Sequence, residues 1–65
     1  MPKYPNVIVN LSDVDGNAYS IMGAVARAMR QQHISAAEQV AFQKEATSGD
    51  YDHLLQTCMR WVSVA

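Results

Sequence analysis

The sequence has a single cysteine, Cys58, so no disulfide can form within the chain. This absence matters because a chain of 65 residues hides only about 60% of the surface that its unfolded form exposes. Domains of this size usually depend on a disulfide, a metal, oligomerisation or very regular helix packing. A single free thiol is also more typical of a reducing compartment than of a secreted protein. We therefore expect one small domain, residues 1–65, in the cytoplasm.

Charge and long apolar runs are scarce. Charged residues make up 17% of the chain, the net charge is −1, and the five basic residues form no block. Binding to nucleic acid normally needs a cationic face, so we do not expect nucleic acid as the main partner. The longest apolar run, residues 21–26, is far shorter than the ~20 residues that span a bilayer. The first residues lack the apolar stretch of a signal peptide, and we expect no association with a membrane.

Sequence signatures of catalysis and cofactor binding are missing as well. The chain has no glycine-rich phosphate loop, no HExxH, no CxxC and no serine in a nucleophile elbow. The string DVDGN, residues 13–17, is similar to part of a calcium loop. Placing Gly16 at the sixth loop position puts Leu11 first and Met22 twelfth, where calcium binding needs Asp and Glu. We predict a strand-to-helix turn there, no cofactor and no enzymatic activity.

The segment SGDYDHLLQTCMRW, residues 48–61, collects several reactive side chains. His53 and Cys58 are five positions apart, which places them about 140° apart on a helix and prevents a shared metal. Cys58 falls on the apolar stripe, where a free cysteine behaves as a small buried hydrophobe. Asp50, Asp52 and His53 offer too few ligands for a dedicated cation site. We predict no metal site, and a small metal-binding or enzymatic protein is the second alternative for function.

The hydrophobic pattern predicts a strand followed by three helices. Apolar and polar residues alternate over about 6–11, which is typical of a strand. Helical periodicity then covers about 18–32, 36–47 and 51–60. The end, residues 61–65, is either a short strand or the continuation of the last helix. The predicted fold is a single, mostly helical α+β domain.

Capping signals mark where the helices begin and end. Asn17 or Asp15 caps the first helix. Ser35 and Glu38 form a capping box in which each side chain bonds the other residue's amide. Asp50 caps the third helix, and Gly49 is predicted to end the second helix in a left-handed conformation.

The second helix has apolar residues on more than one side. Val40 lies roughly opposite Phe42 and Ala46 on the helical wheel, which favours a helix between two surfaces. The first strand also needs a neighbour for its backbone groups, and the chain offers only a very short one. We therefore predict a homodimer or a protein partner, with Val40, Phe42 and Ala46 as the candidate interface. Alternatively, Phe42 packs inside the chain and the two terminal strands pair.

The pattern GNAxxIMGxV followed by EATSGDYDHLLQTCM resembles a group of small bacterial and phage-associated proteins of unknown function. The resemblance covers residues 6–62 and is most specific at 46–59. It implies a bacterial or mobile-element origin and assigns no catalytic residue.

The sequence thus predicts a small interaction or accessory protein that acts through a protein–protein surface. The first alternative is a helix-turn-helix-like nucleic-acid binder, because residues 47–50 form a turn of suitable length and Gln56 and Arg60 lie on the polar face of the third helix. Asp50 and Asp52 at the start of that helix would repel phosphate and weigh against this alternative.

Overall fold

The computed structural model describes residues 1–65 and confirms an α+β fold with a strand, three helices and a short final strand. A 3-10 turn, Leu11–Asp13, follows the first strand. The elements are β1 (Tyr4–Val9), α1 (Ala18–Gln31), α2 (Ala36–Ala46), α3 (Tyr51–Trp61) and β2 (Val62–Val64).

β1 begins and ends two residues earlier than the predicted strand. At its start, the Lys3 amide donates to the Arg60 carbonyl at 2.8 Å. This hydrogen bond holds the first residues of the chain beside the end of α3. At its end, the Asn10 side chain accepts from the Ser12 amide at 3.0 Å. Such a local side-chain bond turns the backbone and stops the strand.

β1 and β2 pair with each other in parallel. Ile8 lies opposite Ser63 and Val9 lies opposite Val64, whereas the register is irregular towards the start of β1, where Tyr4 faces Val62. The two terminal strands therefore satisfy part of each other's backbone within one chain, as the alternative interpretation of the sequence expected.

The core lies between one face of this sheet and the three helices. Each element contributes buried apolar side chains: β1 through Val7 and Val9, α1 through Val25 and Met29, and α3 through Leu54. The caps that hold these elements follow the sequence signals, since Asn17 accepts from the Tyr19 amide and Asp50 from the His53 amide.

The end of α1 adopts a conformation that the sequence did not indicate. His33 has a φ of 61°, in the left-handed region that favours glycine. The Ile34 amide donates to the Met29 carbonyl at 2.9 Å and the His33 amide to the Arg30 carbonyl at 3.0 Å. These two bonds form a Schellman ending, so a non-glycine residue stands where helices usually place glycine.

The predicted interface on α2 needs correction. Phe42 is completely buried within the single chain and Ala46 is nearly so, whereas Val40 is 52% exposed. α2 packs against both α1 and α3, and the Phe42 ring meets the edge of Trp61 at 5.8 Å between centroids. Phe42 and Ala46 therefore face neighbours in the same chain, and placing them at an intermolecular surface was wrong. Val40 does present surface.

Truncating Phe42 separates a core role from an interface role. We expect Phe42→Ala to lower the free energy of unfolding by about 3–5 kcal/mol, which is enough to unfold much of a small domain at any protein concentration. The exposed control Val40→Ala should change it by less than about 0.5 kcal/mol. Urea unfolding followed by circular dichroism measures both. A folded Phe42→Ala chain with unchanged stability would contradict the core assignment.

Candidate functional site

The side chains of residues 48–61 that could bind a metal do not converge. Cys58 is fully buried in the core, and burial raises the pKa of its thiol. His53 lies on another side of α3, half-buried against the end of α2. Asp50 accepts from the His53 amide, and Asp52 accepts from the Gln56 side chain at 3.0 Å. No three histidine, cysteine, aspartate or glutamate side chains of the chain are close enough to hold a metal together.

Ser48 and His53 form a pair that resembles a nucleophile and its base, with 3.1 Å between the Ser48 hydroxyl and His53 Nε2. Both groups, however, bond the Glu45 carbonyl, the hydroxyl at 2.7 Å and Nε2 at 2.9 Å. A carbonyl only accepts, so each group donates its proton there. The pair therefore satisfies a carbonyl at the C-terminal end of α2, which is a capping role.

Gly49 is glycine because His53 lies against it. No glycine in the chain has a positive φ, so the predicted left-handed conformation at Gly49 was wrong. A Cβ placed on Gly49 would lie 2.8 Å from His53 Cγ, closer than real Cβ contacts. The residue thus makes room for the imidazole that caps α2.

This steric relation predicts coupling between the two positions. Gly49→Ala should lower the free energy of unfolding by about 1–3 kcal/mol, because the new methyl group pushes the imidazole off the Glu45 carbonyl. In a His53→Gly background, which removes both the Cβ and the ring atoms that the methyl group would meet, the same change should cost almost nothing. This leaves a coupling energy of at least about 1 kcal/mol in a double-mutant cycle. Urea unfolding of the four chains measures it. Additive costs would show that Gly49 is not constrained by His53.

A second cluster joins the start of the chain to α2 and to the end of α3. The Tyr4 hydroxyl donates to Glu38 Oε1 at 2.6 Å, and Lys3 Nζ lies 2.9 Å from the same oxygen. The Lys3 ammonium also sits 4.5 Å from the centroid of the Trp61 ring, a cation–π contact. Glu38 is therefore used differently from the prediction: Ser35 does accept from the Glu38 amide, but the Glu38 carboxylate bonds Tyr4 and Lys3 instead of closing a capping box.

This cluster shifts the ionisation of its members. The hydrogen bond from Tyr4, then that from Lys3, lower the pKa of Glu38 below its ordinary value of 4.5. The bond to Glu38 raises the pKa of Tyr4 and of Lys3. Because the folded state holds Glu38 ionised more strongly than the unfolded chain does, it adds stability above pH 4.5 that is lost as the pH falls through the lowered pKa.

The pH dependence of stability tests the cluster. Between about pH 5 and pH 3 the melting temperature of the wild-type chain should fall more steeply than that of Glu38→Gln. The reason is that the Glu38 carboxylate takes up a proton in this range, whereas the amide of the variant does not. Tyr4→Phe keeps the ring but removes the hydroxyl, so it should raise the pKa of Glu38 towards its ordinary value, measured by side-chain NMR titration. Parallel melting curves for all three chains would contradict this account.

A groove runs between α1 and α2 and continues to the start of α3. It consists of two adjoining depressions of about 420 and 270 Å³ that share Tyr19, Met22 and Thr47. Tyr19 is 80% exposed, and the partly exposed side chains of Val40 and Tyr51 line the two depressions. Three of the large apolar side chains that the chain leaves exposed therefore surround one concave surface, which we call the α1–α2 groove.

Gly23 lines the α1–α2 groove in the middle of α1. Glycine inside a helix costs about 1 kcal/mol relative to alanine. A Cβ at this position would meet nothing within 4 Å, and the backbone φ is ordinary. Neither packing nor conformation within the chain explains this glycine, and the space beside it in the groove is open. The sequence contains one indication of the groove, which is the presence of a glycine on the polar side of a predicted helix.

None of the three helices combines the length and the apolar run that crossing a membrane requires. Comparison with known protein families, with curated proteins and with solved structures finds no match to this chain.

Proposed function

We propose that this chain is a small interaction protein that binds another protein through the α1–α2 groove and has no catalytic activity of its own. The observation that carries the proposal is Gly23, which weakens α1 and leaves open a depression of about 420 Å³ that nothing in the chain fills. An apolar side chain of a partner would fit into this space. The partner would remove from water the apolar surface of Tyr19 and Val40 at the groove.

The energetics support a partner at this surface. An exposed apolar side chain costs little by itself, but grouped apolar groups around a concavity are typical of binding sites. Met22 and Ala46 are buried beneath the groove and belong to the core, so the core forms its floor. Lys44 at one side has no ion pair within the chain, and it offers a charge to an acidic group of the partner.

Nucleic-acid binding through α2 and α3 is the second candidate, and the charges weigh against it. Arg60, which would approach a base or a phosphate, lies 3.8 Å from the Glu45 carboxylate. Gln56 bonds Asp52, whose carboxylate stands near the start of α3. Each polar group that this candidate needs is thus accompanied by an acidic side chain, which repels phosphate.

The compartment and origin belong to the same proposal. A lone thiol favours a reducing cytoplasm, and the resemblance to small bacterial and phage-associated proteins favours a bacterial or mobile-element source. The homodimer expected from the sequence needs a surface other than Phe42 and Ala46, because both are buried in the single chain.

Photo-crosslinking in living bacterial cells tests the groove. A crosslinking amino acid at Val40 should yield a discrete heavier product, whereas the same group at Met59, also apolar and exposed but two turns beyond Tyr51 on α3, should not. Gly23→Leu fills the groove without removing any contact of the chain and should reduce the product about tenfold or more.

The matched control is Gly23→Ala, which adds one methyl group to the same helix. Both variants should raise the free energy of unfolding by roughly 0.5–1 kcal/mol, so loss of the product in Gly23→Leu cannot come from unfolding. Equal products from Val40 and Met59, or a product that Gly23→Leu leaves unchanged, would overturn the groove as the binding surface. A product of twice the chain mass would identify a second copy as the occupant.

A further inference from the structure

The outer edge of β1 carries backbone groups that nothing in the chain pairs. The sheet has two strands, so each strand has one edge without a neighbouring strand. On the inner edge, the Val9 carbonyl accepts from the Ala65 amide at 2.8 Å. The amide and the carbonyl of one residue point to the same edge of a strand, and those of the next residue point to the other edge. Because the Val9 carbonyl is on the inner edge, the amide and carbonyl of Ile8 point outwards. None of the backbone bonds outside the helices and the β1–β2 ladder uses them.

This edge lacks the features that usually protect an unpaired strand. Natural edge strands carry charged residues or proline, or are covered by another element. Residues 4–12 contain no charged residue. Pro5 lacks an amide proton, but it lies near the N-terminal end of β1 and hinders pairing only there. Ile8 is 67% exposed, with the exposed residues Asn6 and Asn10 on either side. An uncharged edge with an apolar side chain at its centre is suited to pairing with another strand.

We propose that β1 pairs with β1 of a second copy, antiparallel about a two-fold axis at Ile8, to form a four-stranded sheet with β2 at both outer edges. In this register each Ile8 lies opposite the other Ile8, and Asn6 lies opposite Asn10. Alternation from Ile8 directs the Asn10 amide outwards, just beyond the end of β1. It directs the Asn6 carbonyl outwards as well, and the Pro5 carbonyl before it accepts from Ser63 on the inner edge. The two Ile8 residues exchange two hydrogen bonds, and each Asn10 amide donates to an Asn6 carbonyl. Such an isologous contact closes on itself and leaves a dimer.

The side chains favour a second copy over an unrelated strand. Asn6 and Ile8 share one face of β1 because side chains alternate along a strand, and Asn10, directly after the strand, continues this alternation. Each Ile8 would cover the exposed apolar surface of the other. The Asn10 side-chain oxygen already accepts from Ser12, so its amino group is left to donate to Asn6 of the second copy. No charge opposes the contact, and no residue of β1 lines the α1–α2 groove, so a dimer would leave both grooves free.

Sedimentation velocity over micromolar to millimolar concentrations tests this dimer. The wild-type chain should shift from monomer to dimer as its concentration rises. Ile8→Lys places two ammonium groups opposite each other and should raise the dissociation constant about tenfold or more. The matched control Val40→Lys adds the same charge to an exposed apolar residue on α2 and should leave it unchanged.

A second variant covers the case in which Ile8→Lys does not fold. A chemically synthesised chain with an N-methyl group on Ile8 keeps the side chain and removes only the outward amide proton, and it should also be monomeric while its circular dichroism is retained. In the wild-type chain, hydrogen exchange at the Ile8 amide should slow as the concentration rises. A strictly monomeric wild type, a dimer insensitive to both Ile8 changes, or a dimer lost in Val40→Lys would overturn the proposal.

Discussion

The parallel pairing of β1 with β2 is the constraint on which the rest of this structure depends. Parallel strands cannot be joined by a tight turn, so the chain between them must cross from one end of the sheet to the other. Here the crossing consists of all three helices. α1 and α3 pack on one face of a sheet only two strands wide, and α2 packs on these two helices. The buried residues Val7, Val9 and Val62 therefore join the helices in one core, and the opposite face, with Ile8, is left to water.

The helices could be predicted because their signals are local. Ser35 and Asp50 each occur directly before an apolar pattern, and both cap the predicted helix. The end of α1 could not be placed with the same detail, since His33 takes a conformation that its residue type does not announce. The bond between Tyr4 and Glu38 joins residues 34 positions apart, and no local pattern encodes it.

The surfaces were harder to predict than the elements. A helical wheel shows that α2 is apolar on more than one side, but it does not show what covers each side. The wheel therefore favours an interface for Phe42, although Trp61 and the core cover this residue. The sequence shows a glycine at position 23 of a predicted helix but gives no reason for it. Only the structure shows the open space beside Gly23. Exposure depends on the tertiary arrangement, which residue types and their spacing do not contain.

The ladder between the two strands also determines how this chain folds. Ser63 bonds the Pro5 carbonyl across 58 positions of sequence, so the sheet gains its hydrogen bonds only after nearly the whole chain has been drawn into a loop. Closing so long a loop is entropically costly and slows folding relative to helical domains with local contacts. The helices bury their apolar sides against the strands and against one another, and they are short enough to be marginal without this packing. We therefore expect this small chain to fold cooperatively, and we expect closure of the two ends to limit its rate.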